Sequence, residues 1–159
     1  MKDFGFVLMV LFALALLGLI QLVDRRRTAA IRALAIRSGF HYIGEALPRS
    51  LSLEGTPFER ASKVWNVIDG EPRGIRIIAF DCRVGVGKRS WERSVIAVEN
   101  SGEFLGVALC NSDMQMDSIG KWKIFYRPTV SFEFRVSGLS PVEKMEAYLN
   151  SVGAQASRG

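Results

Sequence analysis

Histidine and cysteine are scarce in this chain: of its 159 residues, one is histidine and two are cysteine. His41 alone cannot supply the imidazole ligands of a zinc centre. Cys82 and Cys110 are too few and too far apart for a disulfide scaffold. Both lie in apolar stretches, where a free cysteine behaves as a small buried side chain. We therefore predict no metal site and no bound cofactor, and the sequence presents no catalytic residue.

Charge is absent from residues 4–23, where Gln21 is the one strongly polar side chain in a run of twenty. As a helix this run is about 30 Å long, which matches the hydrocarbon core of a bilayer. A cleaved export signal has a shorter apolar region that ends in a small-residue cleavage site. Here the Ala-x-Ala at residues 13–15 lies inside the apolar run, and arginines follow it. The pattern predicts an uncleaved transmembrane helix over 4–23, behind an external N-terminus of residues 1–3.

The arginines after the apolar run carry nearly all of the net charge of +5, because residues 39–159 are almost neutral. Positive residues flank membrane spans on the cytoplasmic side. We therefore expect a single-pass protein of the cell (inner) membrane with its C-terminal domain in the cytoplasm. These side chains would face the lipid bilayer and could contact anionic head groups, whereas the near-neutral domain makes nucleic acid an unexpected partner. The arginines assigned to membrane topology and the membrane surface are Arg25, Arg26, Arg27, Arg32 and Arg37.

A basic juxtamembrane helix is predicted over 24–39, with Ala30, Ile31, Leu34 and Ile36 on its apolar face and Gly39 as its C-cap. After it the pattern changes to the alternation typical of strands. The strands are expected at 63–69, 74–84, 93–99, 104–110, 121–126 and 130–136, with a short strand or turn at 40–43. A polar loop carrying Asp113 and Asp117 is expected between the fourth and fifth of these strands.

A helix closes the chain. Ser140 is its predicted N-cap, Pro141 its first residue and Glu143 the partner in a capping box, and Gly153 ends it. Short turns between consecutive strands favour antiparallel pairing. The prediction is an α+β domain over 40–153, in which the C-terminal helix packs on a mostly antiparallel sheet of about six strands, followed by a flexible tail at 154–159. The apolar stripe of the helix is Val142, Met145, Tyr148, Leu149 and Val152.

Several short motifs, quoted from the sequence, accompany this pattern: SGFHY at 38–42, RASKVWNVIDG at 60–70, Phe80-Asp81, GVGK at 85–88 and VIAVE at 95–99. With the anchor and the arginine cluster, they resemble a bacterial group of uncharacterised single-span membrane proteins with a small β-rich domain. The resemblance covers most of residues 1–100 and is weaker from 120 onwards. It implies architecture and location, and no activity.

The segment GVGKRS at 85–90 is similar to the end of a phosphate-binding loop, but Arg89 stands where Ser or Thr is required after Lys88. Such a loop also opens a helix, whereas this segment joins two predicted strands. A hairpin turn with glycine at positive φ accounts for the same residues. Lys88, Arg89 and Arg93 form a candidate interaction tip for a partner or for lipid head groups.

Two hypotheses for function remain, and they differ in whether the acidic residues form a catalytic site. Asp81, Glu92 and Glu99 could form an acid pair only if the fold brought them together, and an apolar pocket under the sheet is also conceivable. Asp113 and Asp117 are too few oxygen ligands for a metal loop. We expect a membrane-anchored module whose cytoplasmic domain binds a protein partner or the membrane surface. The alternative is a membrane-tethered enzyme whose acids converge in the folded chain.

Overall fold

The computed structural model describes residues 2–87, 90–99, 114–127 and 139–155. It begins with one helix, α1 (Lys2–Ser38), of 37 residues. The predicted span and the predicted basic helix are therefore continuous, with no break at the arginines. The large apolar side chains from Phe6 to Val23 are exposed, and none of the most apolar part of α1 is buried inside the molecule. By length and composition, α1 could cross a membrane.

The C-terminal turns of α1 belong to the core of the domain. Ile31, Leu34 and Ala35 are at most 1% exposed, as expected for positions that share one helix face. Ile36 was predicted on this face, but it is 81% exposed. The prediction was wrong because the buried face centres on Ala35, which leaves the next residue about 100° away.

Gly39 ends α1 as predicted. It adopts φ +74°, and the N–H of Phe40 donates to the carbonyl of Ala35 at 2.8 Å. This hydrogen bond spans five residues and is typical of a Schellman C-cap, in which glycine takes the left-handed conformation.

Six strands of the described residues form one open sheet in which every neighbouring pair is antiparallel. Their order is β1-β2-β3-β4-β6-β5. A second helix, α2 (Val142–Gln155), follows the sheet, so the α+β arrangement agrees with the prediction. The strands are β1 (His41–Gly44), β2 (Ala61–Gly70), β3 (Ile77–Val84), β4 (Trp91–Glu99), β5 (Gln115–Ile119) and β6 (Trp122–Tyr126).

Two of the predicted strands, 104–110 and 130–136, lie outside the described residues, as do Cys110 and Asp113. The predicted polar loop around Asp117 is wrong, because Asp117 lies in the edge strand β5. This strand is mostly exposed, so its sequence lacks the apolar alternation by which a strand is recognised.

Both faces of the sheet are covered. β3 has the burial pattern of an interior strand, with seven of its eight residues buried, as its sequence indicated. The two helices cover one face, and the irregular segment at 45–60 covers the other. The buried core on the helix side includes Ile31, Leu34, Ile68, Ile77, Ala79, Ile96, Phe125, Met145 and Leu149. The core on the opposite side includes Leu51, Phe58, Val67, Ile78, Phe80, Val95, Trp122 and Ile124.

α2 begins at Val142, one residue later than predicted. The N–H of Met145 donates to the carbonyl of Pro141 at 3.1 Å, so Pro141 rather than Ser140 precedes the first helical residue. Met145 and Leu149 of the predicted stripe are buried, and Val142 and Tyr148 pack partly against the same cluster. The helix continues to Gln155, past the predicted end at Gly153.

Candidate functional site

A buried carboxylate lies in the middle of β3, on the face that the helices cover. The side chain of Asp81 is fully buried and accepts four hydrogen bonds. Oδ1 accepts from Ser94 Oγ at 2.7 Å and from Arg27 Nη2 at 2.8 Å, and Oδ2 accepts from Arg27 Nε at 2.8 Å and from Asn66 Nδ2 at 2.9 Å. Each carboxylate oxygen thus has two donors, which offsets the desolvation of the charge.

Arg27 connects this carboxylate to the rest of the fold. In addition to its two bonds to Asp81, it donates from Nη1 to the carbonyl of Ser140 at 2.9 Å and from Nη2 to Ser94 Oγ at 3.0 Å. The N–H of Ser140 donates to Ser94 Oγ at 2.9 Å. A single side chain of α1 therefore joins β3, β4 and the segment that leads into α2. We call Arg27, Asn66, Asp81, Ser94 and Ser140 the Asp81 network.

Asn66 enters the network because β2 is irregular. The pairing of β2 with β3 shifts between Trp65 and Ile68, and Asn66 has φ +54°. Asparagine tolerates this left-handed conformation better than most residues. A bulge re-aims the side chain at its position, and here the amide of Asn66 reaches Asp81.

The five arginines assigned to the membrane surface occupy different environments. The Arg27 side chain is only 15% exposed, whereas Arg25 and Arg26 are exposed. The Arg32 guanidinium lies 4.6 Å from the centroid of the Tyr42 ring, and Arg37 bonds to Glu146 at 3.1 Å. The proposed surface role thus remains a prediction, and Arg27 has a second role inside the domain.

The three acids that could have formed a catalytic pair are kept apart. The register of β3 and β4 sets Asp81 opposite Ser94 and Arg83 opposite Glu92. Glu92 accepts hydrogen bonds from Arg83, and Glu99, at the far end of β4, accepts from Lys121 at 2.6 Å. Each acid has its own basic partner. Among the described residues, no group of three or more His, Cys, Asp or Glu side chains could hold a metal ion.

A polar cleft of about 610 Å³ opens beside the Asp81 network. One wall is formed by the α1 residues just after the apolar stretch. The other walls are formed by β1, by the first half of β2, and by the ends of β3 and β4 next to the hairpin that joins them. It differs from the apolar pocket considered from the sequence, because charged side chains dominate its lining. These are Asp24, Arg27, Arg32, Glu45, Lys63, Arg83 and Glu92.

The order of contacts shows which end of the sheet faces the apolar part of α1. Arg27 bonds to Asp81, and the ring of Phe40, just after the end of α1, lies next to Gly70. Gly70 pairs with Ile77, at the end of β3 opposite to the hairpin. Moving towards the apolar stretch along α1 thus corresponds to moving towards the hairpin along β3. The hairpin between β3 and β4 points in the same direction as the apolar helix.

The structure describes that hairpin except for Lys88 and Arg89, which lie outside the described residues. Gly85 and Gly87 adopt φ of +84° and +63°, as predicted for a hairpin turn. Val86 between them is 84% exposed. Arg93, the third residue of the predicted tip, is only 8% exposed and lies over the Trp91 ring at 5.1 Å. Burial lowers the pKa of Arg93.

His41 and Cys82, the two other residues that the sequence analysis considered for chemistry, lie in different environments. His41 is exposed on β1. Cys82 is fully buried, which confirms its prediction as a buried side chain, and burial raises the pKa of its thiol to about 12. Because the thiolate is the reactive form, burial and the raised pKa disfavour reactions of Cys82 at neutral pH.

Sequence reasoning missed the partners of Asp81, namely Arg27, Asn66 and Ser94. It also missed the backbone of Ser140, which bonds to Arg27 and Ser94. One signal was available: an aspartate inside the apolar run IIAFDC is a charge that requires a buried partner.

No protein-family model, no curated protein and no solved structure matches this chain.

Proposed function

We propose that this chain is a single-pass membrane protein whose cytoplasmic domain is held against the membrane surface and binds to that surface. Support comes from α1, which runs unbroken from an exposed apolar stretch into the core of the domain. Val23 ends the apolar stretch, and Arg27 lies about 6 Å further along the helix axis. The domain thus begins within one turn of the predicted bilayer boundary.

The observation that carries the proposal is the burial of Arg27 in the Asp81 network. The four hydrogen bonds of Arg27, two of them to Asp81, are not needed to set topology, because exposed arginines would suffice. A buried, bidentate pair instead fixes the angle between the helix and the sheet. The direction of the anchor therefore determines which end of the domain faces the bilayer.

That end carries the β3–β4 hairpin. Val86 is five residues beyond Asp81, about 16 Å along an extended strand. The hairpin is long enough to reach the plane at which the apolar stretch of α1 ends. An exposed valine is suited to the interface between head groups and acyl chains, and the exposed Arg25 and Arg26 on α1 would contact anionic lipids.

The proposal is tested by labelling Val86→Cys with a fluorophore, in a Cys110→Ser background. Cys82 can remain because its thiol is buried. The full-length protein is reconstituted into vesicles that contain lipids with a quencher near the head group. We expect strong quenching of the label at residue 86.

The matched control is Lys121→Cys. Lys121 has an exposed side chain at the other end of the sheet, beside Glu99. Weaker quenching at residue 121 than at residue 86 supports the proposed orientation. Equal quenching, or stronger quenching at residue 121, contradicts it, and a protein partner would then be the better candidate for the hairpin end.

The cytoplasmic location rests on the arginine bias and is tested separately. A C-terminal reporter that is active only in the cytoplasm should be active on the full-length chain. Activity of a reporter that requires export would instead indicate the opposite orientation.

The alternative, a membrane-tethered enzyme with an acid-based site, is favoured by the presence of Asp24, Glu45 and Glu92 in the cleft lining. Glu92 is engaged by Arg83, which opposes its use as a proton donor. The cleft therefore supports binding better than acid–base catalysis.

A further inference from the structure

The cleft beside the Asp81 network contains charges of both signs that are available to a ligand. Two of its cations are already engaged, since Arg27 pairs with Asp81 and Arg83 pairs with Glu92. In the part of the chain that the structure describes, the other charged side chains of the lining have no ion-pair or hydrogen-bond partner. These four form the open set: Asp24, Arg32, Glu45 and Lys63.

Each cation of the open set is exposed and lies over an aromatic ring. Arg32 stacks on Tyr42 at 4.6 Å, and Lys63 Nζ lies 5.5 Å from the centroid of the Trp65 ring. Stacking restrains both side chains and leaves their N–H groups free to donate. Restrained cations of this kind bind phosphate oxygens through charge-assisted hydrogen bonds.

The two acids determine which phosphate compound is complementary. A ligand with several negative charges would be attracted by Arg32 and Lys63 but also repelled by Asp24 and Glu45. A zwitterion that carries one phosphate and one ammonium group complements both pairs. The cleft volume of about 610 Å³ lies in the range of small-ligand sites.

The source of such a ligand follows from position. Asp24 is the first residue after the apolar stretch, so the part of the cleft that Asp24 lines is at the depth of lipid head groups when α1 spans a bilayer. We propose that the cleft binds the zwitterionic phosphodiester head group of an amine-bearing phospholipid, whose phosphate is complementary to the cations of the open set and whose ammonium group is complementary to its acids. This inference rests on the proposed membrane-surface function for the source of the ligand.

The first experiment measures lipid retention. The full-length protein is placed in nanodiscs of phosphatidylcholine with equal amounts of phosphatidylethanolamine and phosphatidylglycerol, extracted into mild detergent, and analysed for retained lipid by mass spectrometry. We expect enrichment of phosphatidylethanolamine. The double variant Arg32→Gln/Lys63→Gln should lower this enrichment about tenfold or more, because two charged contacts are lost.

The control variant Arg37→Gln/Lys121→Gln removes the same charge from the same residue types. Arg37 and Lys121 are engaged by Glu146 and Glu99, away from the cleft, so this variant should retain phosphatidylethanolamine like the unmodified chain. Enrichment of phosphatidylglycerol, no enrichment at all, or equal losses in the two variants would overturn the assignment.

A second experiment does not depend on the membrane. Glycerophosphoethanolamine, glycerophosphocholine and inorganic phosphate are titrated into the detergent-solubilised chain while tryptophan fluorescence is followed. A response to the amine-bearing compound that Trp65→Phe abolishes supports the cleft, and an equal response to inorganic phosphate refutes the zwitterionic preference. Flotation of the same protein with vesicles reports anchoring separately, so failure of the membrane proposal is distinguishable from failure of the cleft.

Discussion

The Asp81 network predicts that one arginine of the cluster at residues 25–27 supports the fold while its neighbours do not. The test is Arg27→Met, which keeps the length, the apolar stem and the helix propensity of the side chain while it removes the charge and every donor. Asp81 then keeps two of its four hydrogen bonds, from Asn66 and Ser94, and has no counter-charge. The carbonyl of Ser140 also loses the hydrogen bond from Arg27.

The size of the effect follows from burial. Asp81 is 0% exposed and the Arg27 side chain is 15% exposed, so the pair is screened little by solvent. Removing one partner of a buried pair costs about 3–5 kcal/mol, because the other charge is left uncompensated. For a urea dependence of about 2 kcal/mol/M, this shifts the unfolding midpoint by roughly 1.5–2.5 M. A domain of ordinary stability loses a large share of its free energy of unfolding.

The assay is urea unfolding of the full-length chain in detergent micelles, followed by tryptophan fluorescence. Arg26→Met is the matched control, since Arg26 is exposed, and its effect should stay within about 0.5 kcal/mol. Adding Asp81→Asn to Arg27→Met should recover part of the loss, because the buried charge is removed. The reasoning is refuted if Arg27→Met and Arg26→Met unfold at the same urea concentration, or if the double variant is less stable than Arg27→Met.

Two further predictions concern the sheet. The hydroxyl of Tyr126 donates to Asp117 at 2.9 Å. Burial, together with this hydrogen bond, raises the pKa of the Tyr126 hydroxyl to about 12. The hydroxyl should therefore stabilise the fold fully below about pH 10, the pKa of tyrosine in the unfolded chain, and less as the pH rises towards 12. Tyr126→Phe should therefore be less stable than the unmodified chain at pH 8, and this difference should narrow by pH 11 in denaturant unfolding; a constant difference would contradict the assigned ionisation. Gly70→Ala would place a Cβ 2.6 Å from Cδ1 of the buried Phe40 ring. We therefore expect the free energy of unfolding to fall by about 1–3 kcal/mol. An unchanged midpoint of denaturant unfolding would show that the ring moves aside freely.

The sequence predicted the elements whose signal is local. Gly39 marks the end of α1, the glycines at 85 and 87 mark a hairpin, and the apolar run of β3 indicates a strand covered on both faces. Each depends on a few neighbouring residues and is visible without the fold. β5 was missed because its sequence, QMDSI, lacks apolar alternation and only its pairing with β6 makes it a strand.

The candidate site depends on contacts between residues that are far apart in sequence, and these could not be predicted. Arg27 and Asp81 are 54 residues apart, and Arg27 and Ser140 are 113 apart. Three consecutive arginines look equivalent in the sequence, because hydropathy and charge are the same for each. Only the helix phase, which brings residue 27 onto the same side as Ile31 and Leu34, selects the one that turns inward.

Helix phase also explains why one cluster can serve the membrane and the domain together. In a helix, neighbouring residues point about 100° apart, so Arg25 and Arg26 remain outside when Arg27 is buried. The buried arginine fixes the domain to the helix, and the outer arginines can fix the helix relative to the bilayer. A flexible linker between the proposed span and the domain would separate these two constraints, and the hairpin and the cleft would then be free to turn relative to α1. In this chain no linker intervenes, since α1 is continuous from Lys2 to Ser38, and any ligand taken from the membrane would meet the cleft in a fixed orientation.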